Sequence, residues 1–230
     1  MRRVLSACVL IAYSGFSQAA FGANETATDQ GAVPAAPTEA RAGAYKLDKA
    51  HASLLFRVDH LGFSKYTARF RRFDADLQFD PAKPAAMSVT ATIDPASIET
   101  DYPDPAQLDF NAELRGSKFL DTVQFPAITF RSTAVELTGA NTALVKGELG
   151  LHGVTRPMTL DVSFNGGYAG HPMDPQSRIG FSARGVLKRS EFGMAYGIPA
   201  QGSTMGVSDA VEVLIEAEFN GPPLTPAKSQ

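Results

Sequence analysis

Four histidines are the side chains of this 230-residue sequence best suited to acid–base or metal chemistry. They are His51, His60, His152 and His171. None forms an H-x-H or H-x-x-x-H pair, and the single cysteine, Cys8, supports none of them, so the spacing predicts no zinc site. Ser190 lacks a G-x-S-x-G elbow, and neither a P-loop nor a Rossmann fingerprint occurs. The sequence therefore predicts a protein that is not an enzyme and has no cofactor.

Alternating apolar and polar residues fill most of the chain between residues 45 and 219 and predict eight β-strands. In the last of them, Val211, Val213 and Ile215 alternate with Glu212, Leu214 and Glu216, which gives the strand one dry face and one wet face. A change of face between Phe70 and Phe73 predicts a bulge in the second strand. Short links favour an up-and-down order, and a closed barrel gives all dry faces one interior. The predicted fold is all-β, an eight-stranded antiparallel barrel.

One short helix is predicted between strands 3 and 4. Asp104 supplies an N-terminal cap, Pro105 occupies the first helical position, and Gly116 follows the end. Phe110 and Leu114 are four residues apart and share one face. We expect this helix to lie over an end or a flank of the barrel.

The inward faces of the strands mix large apolar residues with small ones. The small ones are Ala75, Ala91, Ser132, Gly147, Ala183 and Ala217. Such a mixture either fits the taper of a packed barrel or leaves a void for an apolar guest, and the pattern alone leaves both alternatives open. If a void is present, the predicted lining set is Leu54, Phe56, Val58, Leu77, Phe79, Ile128, Phe130, Leu160, Phe164 and Phe181.

Three polar residues are candidates for contact with the polar end of such a guest. His60 continues the inward phase of the first strand, and Arg156 and Arg189 could meet an anionic head group such as a diphosphate. The alternative for each is a structural role, as a hydrogen-bonded histidine or a surface ion pair. His152 is expected to be a turn residue with a hydrogen-bonded ring.

The two ends of the chain differ in composition from the predicted barrel. Residues 1–23 combine a positive start, an apolar run and a small-residue zone, which is typical of a cleavable secretory signal peptide. The apolar run is too short to span a bilayer, so no integral membrane anchor is predicted. Residues 24–43 are rich in Ala and Pro and predict a flexible leader, and residues 221–230 predict a disordered tail. The barrel domain is then expected at residues 44–220.

Several motifs resemble those of one known family. Residues 149–157 read L-G-L-H-G-V-T-R-P and differ at one position from the L-T-L-H-G-V-T-R-P signature of the YceI-like lipid/polyisoprenoid-binding family. Residues 189–193 resemble its R-S-x-F-G turn, and residues 125–132 match its P-x-I-x-F-x-S strand. The resemblance covers about residues 45–219. In one departure, Glu113 stands where the family usually carries the histidine of R-D-x-H-L.

The resemblance implies an exported, lipocalin-like barrel that holds a long apolar molecule, either a polyisoprenoid chain such as a quinone tail or a fatty-acid derivative. We therefore expect a non-enzymatic periplasmic carrier whose partner is an apolar small molecule, and a homodimer is compatible with such a family. The net charge of −3 and the absence of a basic patch exclude nucleic acid. Two alternatives stay open: a stress-related interaction module with a packed barrel and no ligand, and an enzyme acting on a lipid head group.

Overall fold

A single antiparallel sheet, closed on itself, forms the body of the molecule. The computed structural model describes residues 35–224. The strands are β1 (Gly43–His60), β2 (Ser64–Phe70), β3 (Phe73–Phe79), β4 (Ser88–Ile93), β5 (Ile98–Glu99), β6 (Ile128–Leu137), β7 (Thr142–Leu151), β8 (Val154–Tyr168), β9 (Gln176–Lys188) and β10 (Val207–Pro223). Their order in the sheet is β10-β9-β8-β7-β6-β4-β3-β1-β2-β5, and β10 also pairs with β1. This last pairing closes the barrel.

Two of the eight predicted strands are each broken into two. Both β2 and β3 pair with β1, along Leu54–His60 and Gly43–Lys46 respectively, so they form one strand interrupted at Arg71 and Arg72. At the position of the bulge predicted between Phe70 and Phe73, the structure has a break in the strand instead, and the extra residues of this pairing lie on β1. A short 3-10 turn over Pro95–Ser97 separates β4 from β5 in the same way. Counted as continuous strands, these pieces give the predicted eight-stranded antiparallel barrel.

The helix differs from the prediction in position and in its cap. Helix α1 spans Phe110–Arg115 and follows β5 rather than lying between β3 and β4, because the broken strands add two elements before it. Its cap is Asp109, whose carboxylate accepts a hydrogen bond from the Ala112 amide at 2.8 Å. Asp104 instead caps the preceding turn by accepting from the Gln107 amide at 3.2 Å. Gly116 follows the helix as predicted.

The barrel extends further at both ends than its predicted limits of 44 and 220. Residues 35–42, the described part of the predicted flexible leader, contact the barrel: the Ala36 amide donates to the Ala140 carbonyl at 2.7 Å, and Ala40 is only 4% exposed. Strand β10 continues to Pro223, which pairs with Gln176, so the start of the predicted tail is β-structure. The predicted signal peptide, the first part of the leader and the last residues of the tail lie outside the described residues. Within residues 35–224, no helix is both long and apolar enough to cross a membrane.

The two ends of the barrel carry different connections. At one end, which we call the α1 end, lie the 61–63 turn, the 100–127 segment that contains α1, and the 189–206 segment. At the other end, the opposite end, lie the 80–87, 138–141 and 169–175 connections and residues 35–42. The rings of Tyr66 and Phe110 pack edge to face, with centroids 5.8 Å apart, and so do those of Phe119 and Tyr196 at 5.4 Å. These contacts hold the α1 segment over its end of the barrel, as the amphipathic pattern predicts.

Candidate binding cavity

The interior of the barrel contains a cavity of about 640 Å³. It reaches from Pro81 and Asn141 at the opposite end to Phe110 and Leu114 on α1, and its walls are almost wholly apolar. Sites for small molecules typically enclose about 300–1,000 Å³ and have mainly apolar linings. The lumen is therefore not filled by the protein's own side chains, and of the two alternatives left open by the strand pattern, the void is the one observed.

All ten residues of the predicted lining set lie on the wall of this cavity. They are Leu54, Phe56, Val58, Leu77, Phe79, Ile128, Phe130, Leu160, Phe164 and Phe181. Their contact with a ligand stays a prediction. The wall also contains residues that the set omitted, among them Val211, Val213 and Ile215 on β10 and Leu114 on α1. Strict alternation in β10 and the spacing of Leu114 from Phe110 were the signals that could have found them.

The small inward residues divide into two groups. Ala75, Ala91, Ala183 and Ala217 line the cavity, so here the small side chains do leave space. Gly147 does not, because a Cβ at this position would lie 2.5 Å from Cζ of Phe130, whose ring occupies the space above the glycine. Ser132 accepts a hydrogen bond from the Val89 amide at 2.9 Å and does not line the cavity either. A small residue therefore creates a void only where no neighbouring ring covers it.

The walls of the cavity differ in how tightly they are packed. Phe130 on β6, Val145 on β7 and Leu160 on β8 are at most 9% exposed and belong to one buried cluster. Phe56 on β1 and Val213 on β10 are only half-buried although they also line the cavity. The middle of the β1–β10 wall, around Phe56 and Val213, is therefore more loosely packed than the wall at Phe130, Val145 and Leu160.

Polar side chains reach the cavity at both ends. His60, Glu113, Arg189 and the hydroxyl-bearing Tyr66 and Tyr196 line it at the α1 end. His60 is exposed at the end of β1, where it pairs with Ser64 and Val207. Its predicted position beside the polar end of a guest is thus compatible with the structure. Its contact with a head group stays a prediction.

Arg189 is buried, and backbone carbonyl oxygens accept hydrogen bonds from its guanidinium. Its guanidinium donates to the carbonyl oxygens of Ser208 at 2.9 Å, Met194 at 3.1 Å, Tyr196 at 2.6 Å and Val207 at 2.8 Å. Burial lowers the pKa of this group below its usual value, although an arginine with these acceptors stays charged. Arg189 therefore fastens the 189–206 segment to the barrel, and an anionic head group would have to compete with four carbonyls.

The structure does not bring Arg156 to the cavity. This residue is exposed near the start of β8, and its Nε donates to the Glu191 carbonyl at 3.4 Å. It is absent from the cavity wall, because the side chain packs against the turn over Arg189–Phe192 on the outside of the barrel. The expectation that Arg156 meets a head group inside the barrel thus has no geometric support.

His152 has the structural role expected of it. It adopts a left-handed backbone conformation, with φ of +51°, in the turn between β7 and β8. Its Nδ1–H donates to the Phe192 carbonyl at 2.9 Å, and its ring lies 4.4 Å from that of Phe125. The ring thus links the turn to two other segments of the α1 end.

A cluster that the sequence analysis missed lies on the outer surface. Asp48, His51 and Glu218 place possible ligand atoms within 4.8 Å of one another, since pairing of β1 with β10 joins residues far apart in the chain. The hydrogen bond from His51 holds the pKa of Asp48 at about 2, and Asp48 in turn raises the pKa of His51. Arg178 donates to Asp48 at 2.8 Å and lies 3.7 Å from Glu218. This arginine supplies the positive charge that a metal ion would otherwise bring.

Comparisons with known proteins agree with this fold. The pattern of the YceI-like domain family matches residues 45–219, which confirms the resemblance seen in the motifs. A UPF0312 protein of Shewanella oneidensis is 36% identical over 168 residues, covering 71% of this chain and 83% of the relative. The crystal structure of Burkholderia cenocepacia BcnA has a TM-score of 0.63 at 26% identity, over 75% of this chain and 98% of that one. A polyisoprenoid binding domain from Saccharophagus degradans has the same fold, with a TM-score of 0.52 at 17% identity over 77% of this chain and 98% of that one.

Proposed function

The chain belongs to the YceI-like domain family, and we propose that it is a periplasmic carrier that holds a long apolar lipid inside its barrel. The observation that carries this proposal is the cavity of about 640 Å³ with an almost wholly apolar wall. Burial in such a wall contributes about 25 cal/mol for each Å² of hydrocarbon taken out of water, so contact area alone can provide affinity. Polar groups are then needed only to orient the head of the lipid.

The ligand class we favour is a polyisoprenoid chain, such as the tail of a quinone, with a fatty-acid derivative as the second candidate. The shape of the cavity supports a chain-like guest, since it runs from Pro81 near one end of the barrel to Phe110 at the other. The Saccharophagus domain that shares the fold is named for polyisoprenoid binding, which supports the first candidate.

The carrier is proposed to bind its lipid without catalysing a reaction on it. Around the cavity, the residues that could transfer a proton are His60, Glu113 and two tyrosines at the α1 end, and no nucleophile with an adjacent base is found among the lining residues. Export through a signal peptide over residues 1–23 would place the protein in the periplasm, where fractionation of cells tests the location.

Extraction of the purified protein tests the carrier proposal. We expect organic solvent to release an apolar molecule that mass spectrometry identifies, or the purified protein to take up a quinone or a fatty acid on incubation. Recovery of no apolar molecule under either condition would favour the interaction module with no ligand.

A pair of variants on β8 sharpens this experiment. Leu160 is buried on the cavity wall, so Leu160→Arg places an unpaired charge in an apolar site and should abolish uptake. Thr159 is the exposed, outward neighbour, so Thr159→Arg adds the same charge and should leave uptake unchanged. Circular dichroism shows whether both variants fold, and retention of ligand by a folded Leu160→Arg variant would contradict the proposed site.

A further inference from the structure

The charged side chains on the cavity wall lie at one end only. Glu113 on α1 and Arg189 after β9 both belong to the α1 end, together with His60. At the opposite end the wall offers neutral polar groups, such as the Asn141 amide and the Thr142 hydroxyl. The head of a bound lipid therefore meets a formal charge only if it lies at the α1 end.

Of these two charged groups, Glu113 has a carboxylate free to accept hydrogen bonds, whereas most of the donors of Arg189 are already used. Four N–H groups of Arg189 are already donated to backbone carbonyls, as described above. Glu113 is exposed and forms no ion pair among the described residues. The cations of its own segment are engaged elsewhere, since Arg115 lies 3.8 Å from Asp109 and Lys118 lies 5.0 Å from the centre of the Tyr196 ring.

The segment that carries Glu113 is acidic as a whole. Residues 100–127 contain five carboxylates and two basic side chains. Arg69 of β2 neutralises one carboxylate, that of Asp101, at 2.9 Å, and the excess that remains is negative. The excess negative charge of this segment lowers the local concentration of anions beside it, so anionic amphiphiles are disfavoured there.

We propose that Glu113 selects the polar end of the bound lipid, so that the protein prefers uncharged or cationic head groups over carboxylates and phosphates. This inference rests on the proposed carrier function and narrows its ligand class. It favours an alcohol, a phenol, a quinol or an amine, whose N–H or O–H can donate to the Glu113 carboxylate. It disfavours free fatty acids and prenyl phosphates.

Three amphiphiles of one chain length test the proposal: a primary alcohol, a primary amine and a carboxylate, each below its critical micelle concentration. Each is titrated at neutral pH against a neutral apolar fluorophore bound by the mature protein. The amine and the alcohol should displace the fluorophore at lower concentrations than the carboxylate. Salt should weaken the discrimination against the carboxylate, because exposed charges are screened.

Glu113→Gln keeps the shape of the side chain and removes its charge. The amine-to-carboxylate preference should fall roughly two- to tenfold, as expected when an exposed ion pair is lost and a like-charge contact is relieved. The control is Glu148→Gln, an exposed residue of β7 that does not line the cavity. It removes the same net charge and should leave the preference unchanged.

The possible outcomes separate this inference from the carrier proposal. Equal affinity for amine and carboxylate, an unchanged ratio in Glu113→Gln, or an equal shift in both variants would overturn selection by Glu113 while leaving the carrier function intact. Binding of none of the three amphiphiles, together with no extractable lipid, would overturn the carrier function itself.

Discussion

Two walls of the same cavity are built from similar residues but are packed differently. Phe130 on β6 and Val145 on β7 are at most 9% exposed, whereas Phe56 at the middle of β1 and Val213 on β10 are only half-buried. All four alternate with polar neighbours in the sequence. Alternation therefore determines that a side chain points inward, and it does not determine how tightly that side chain is packed.

Glycines on β7 and β9 account for the tight packing of the first wall. The ring of Phe130 lies over Gly147, and the side chains of Met158 and Leu160 lie over Gly185, where a Cβ would meet their tips at 2.7 and 2.8 Å. Large side chains thus fill the space that these glycines leave on the neighbouring strands. Inward residues of β1 and β10 pair side by side instead, as Phe56 does with Val213.

The largest expected effect is a difference in stability between two phenylalanine truncations. Phe130→Ala removes a buried ring and should lower the free energy of unfolding by about 3–5 kcal/mol. Phe56→Ala removes a half-buried ring beside an existing void and should cost only about 1–2 kcal/mol. Urea denaturation of the two ligand-free variants measures both values. Equal losses would show that the two walls are packed alike and would break the comparison.

A smaller effect is expected from enlarging a valine on each wall. Val145 also borders the cavity but is buried among its neighbours, so Val145→Phe should crowd them and destabilise the protein by about 1–3 kcal/mol. Val213→Phe places the same ring into open volume, so stability should be unchanged or higher while uptake of lipid falls. Thermal unfolding and the extraction experiment measure the two properties. Undiminished uptake by Val213→Phe would place the ligand somewhere other than against the β1–β10 wall.

The fold was predictable because its main signals are local. Period-two alternation identified the strands, and the change of face near Arg71 located an irregularity that was predicted as a bulge and is a break between β2 and β3. The helix cap was assigned incorrectly, because Asp104-Pro105 and Asp109 carry similar cap signals and the turn at 104–108 could not be told from a helical turn. The contact of Ala40 with the barrel was also missed, because nothing in an Ala/Pro-rich segment indicates that one of its small residues packs against the barrel.

The wall of the cavity was predictable only in its apolar part. The inward positions in the strand pattern identified the ten lining residues. The size of the void, however, depends on which aromatic rings lie over which glycines. Those contacts form between neighbouring strands, and the sequence alone does not show which strands are neighbours. The same limit explains why the sequence could not distinguish the roles of the two arginines. Arg156 and Arg189 look alike as turn residues, yet four carbonyls from a later segment surround only Arg189.

The smallest expected effect concerns the outer network of Asp48 and His51, which belongs to neither wall. Because Asp48 raises the pKa of His51 above its usual 6.5, the folded state binds the proton more tightly than the unfolded state does. The stability contributed by this pair is therefore fully present below pH 6.5 and is lost as the pH rises through the pKa of folded His51. The side chain is 58% exposed, so the loss should be small.

His51→Gln should remove this dependence while leaving lipid affinity the same on both sides of the transition. The expected stability curve of the wild type falls with rising pH relative to that of the variant, because only the wild type loses the ion pair of His51 with Asp48 when the histidine is deprotonated. On the acid side the two should also differ, since Asp48, with a pKa of about 2, stays ionised in the folded wild type well below its usual 3.8. Unfolding measured at a series of pH values, with affinity for the apolar fluorophore measured in parallel, tests both statements. A change in affinity that follows the titration of His51 would mean that the outer surface controls the lumen, and the difference between the two walls would then not be enough to explain binding.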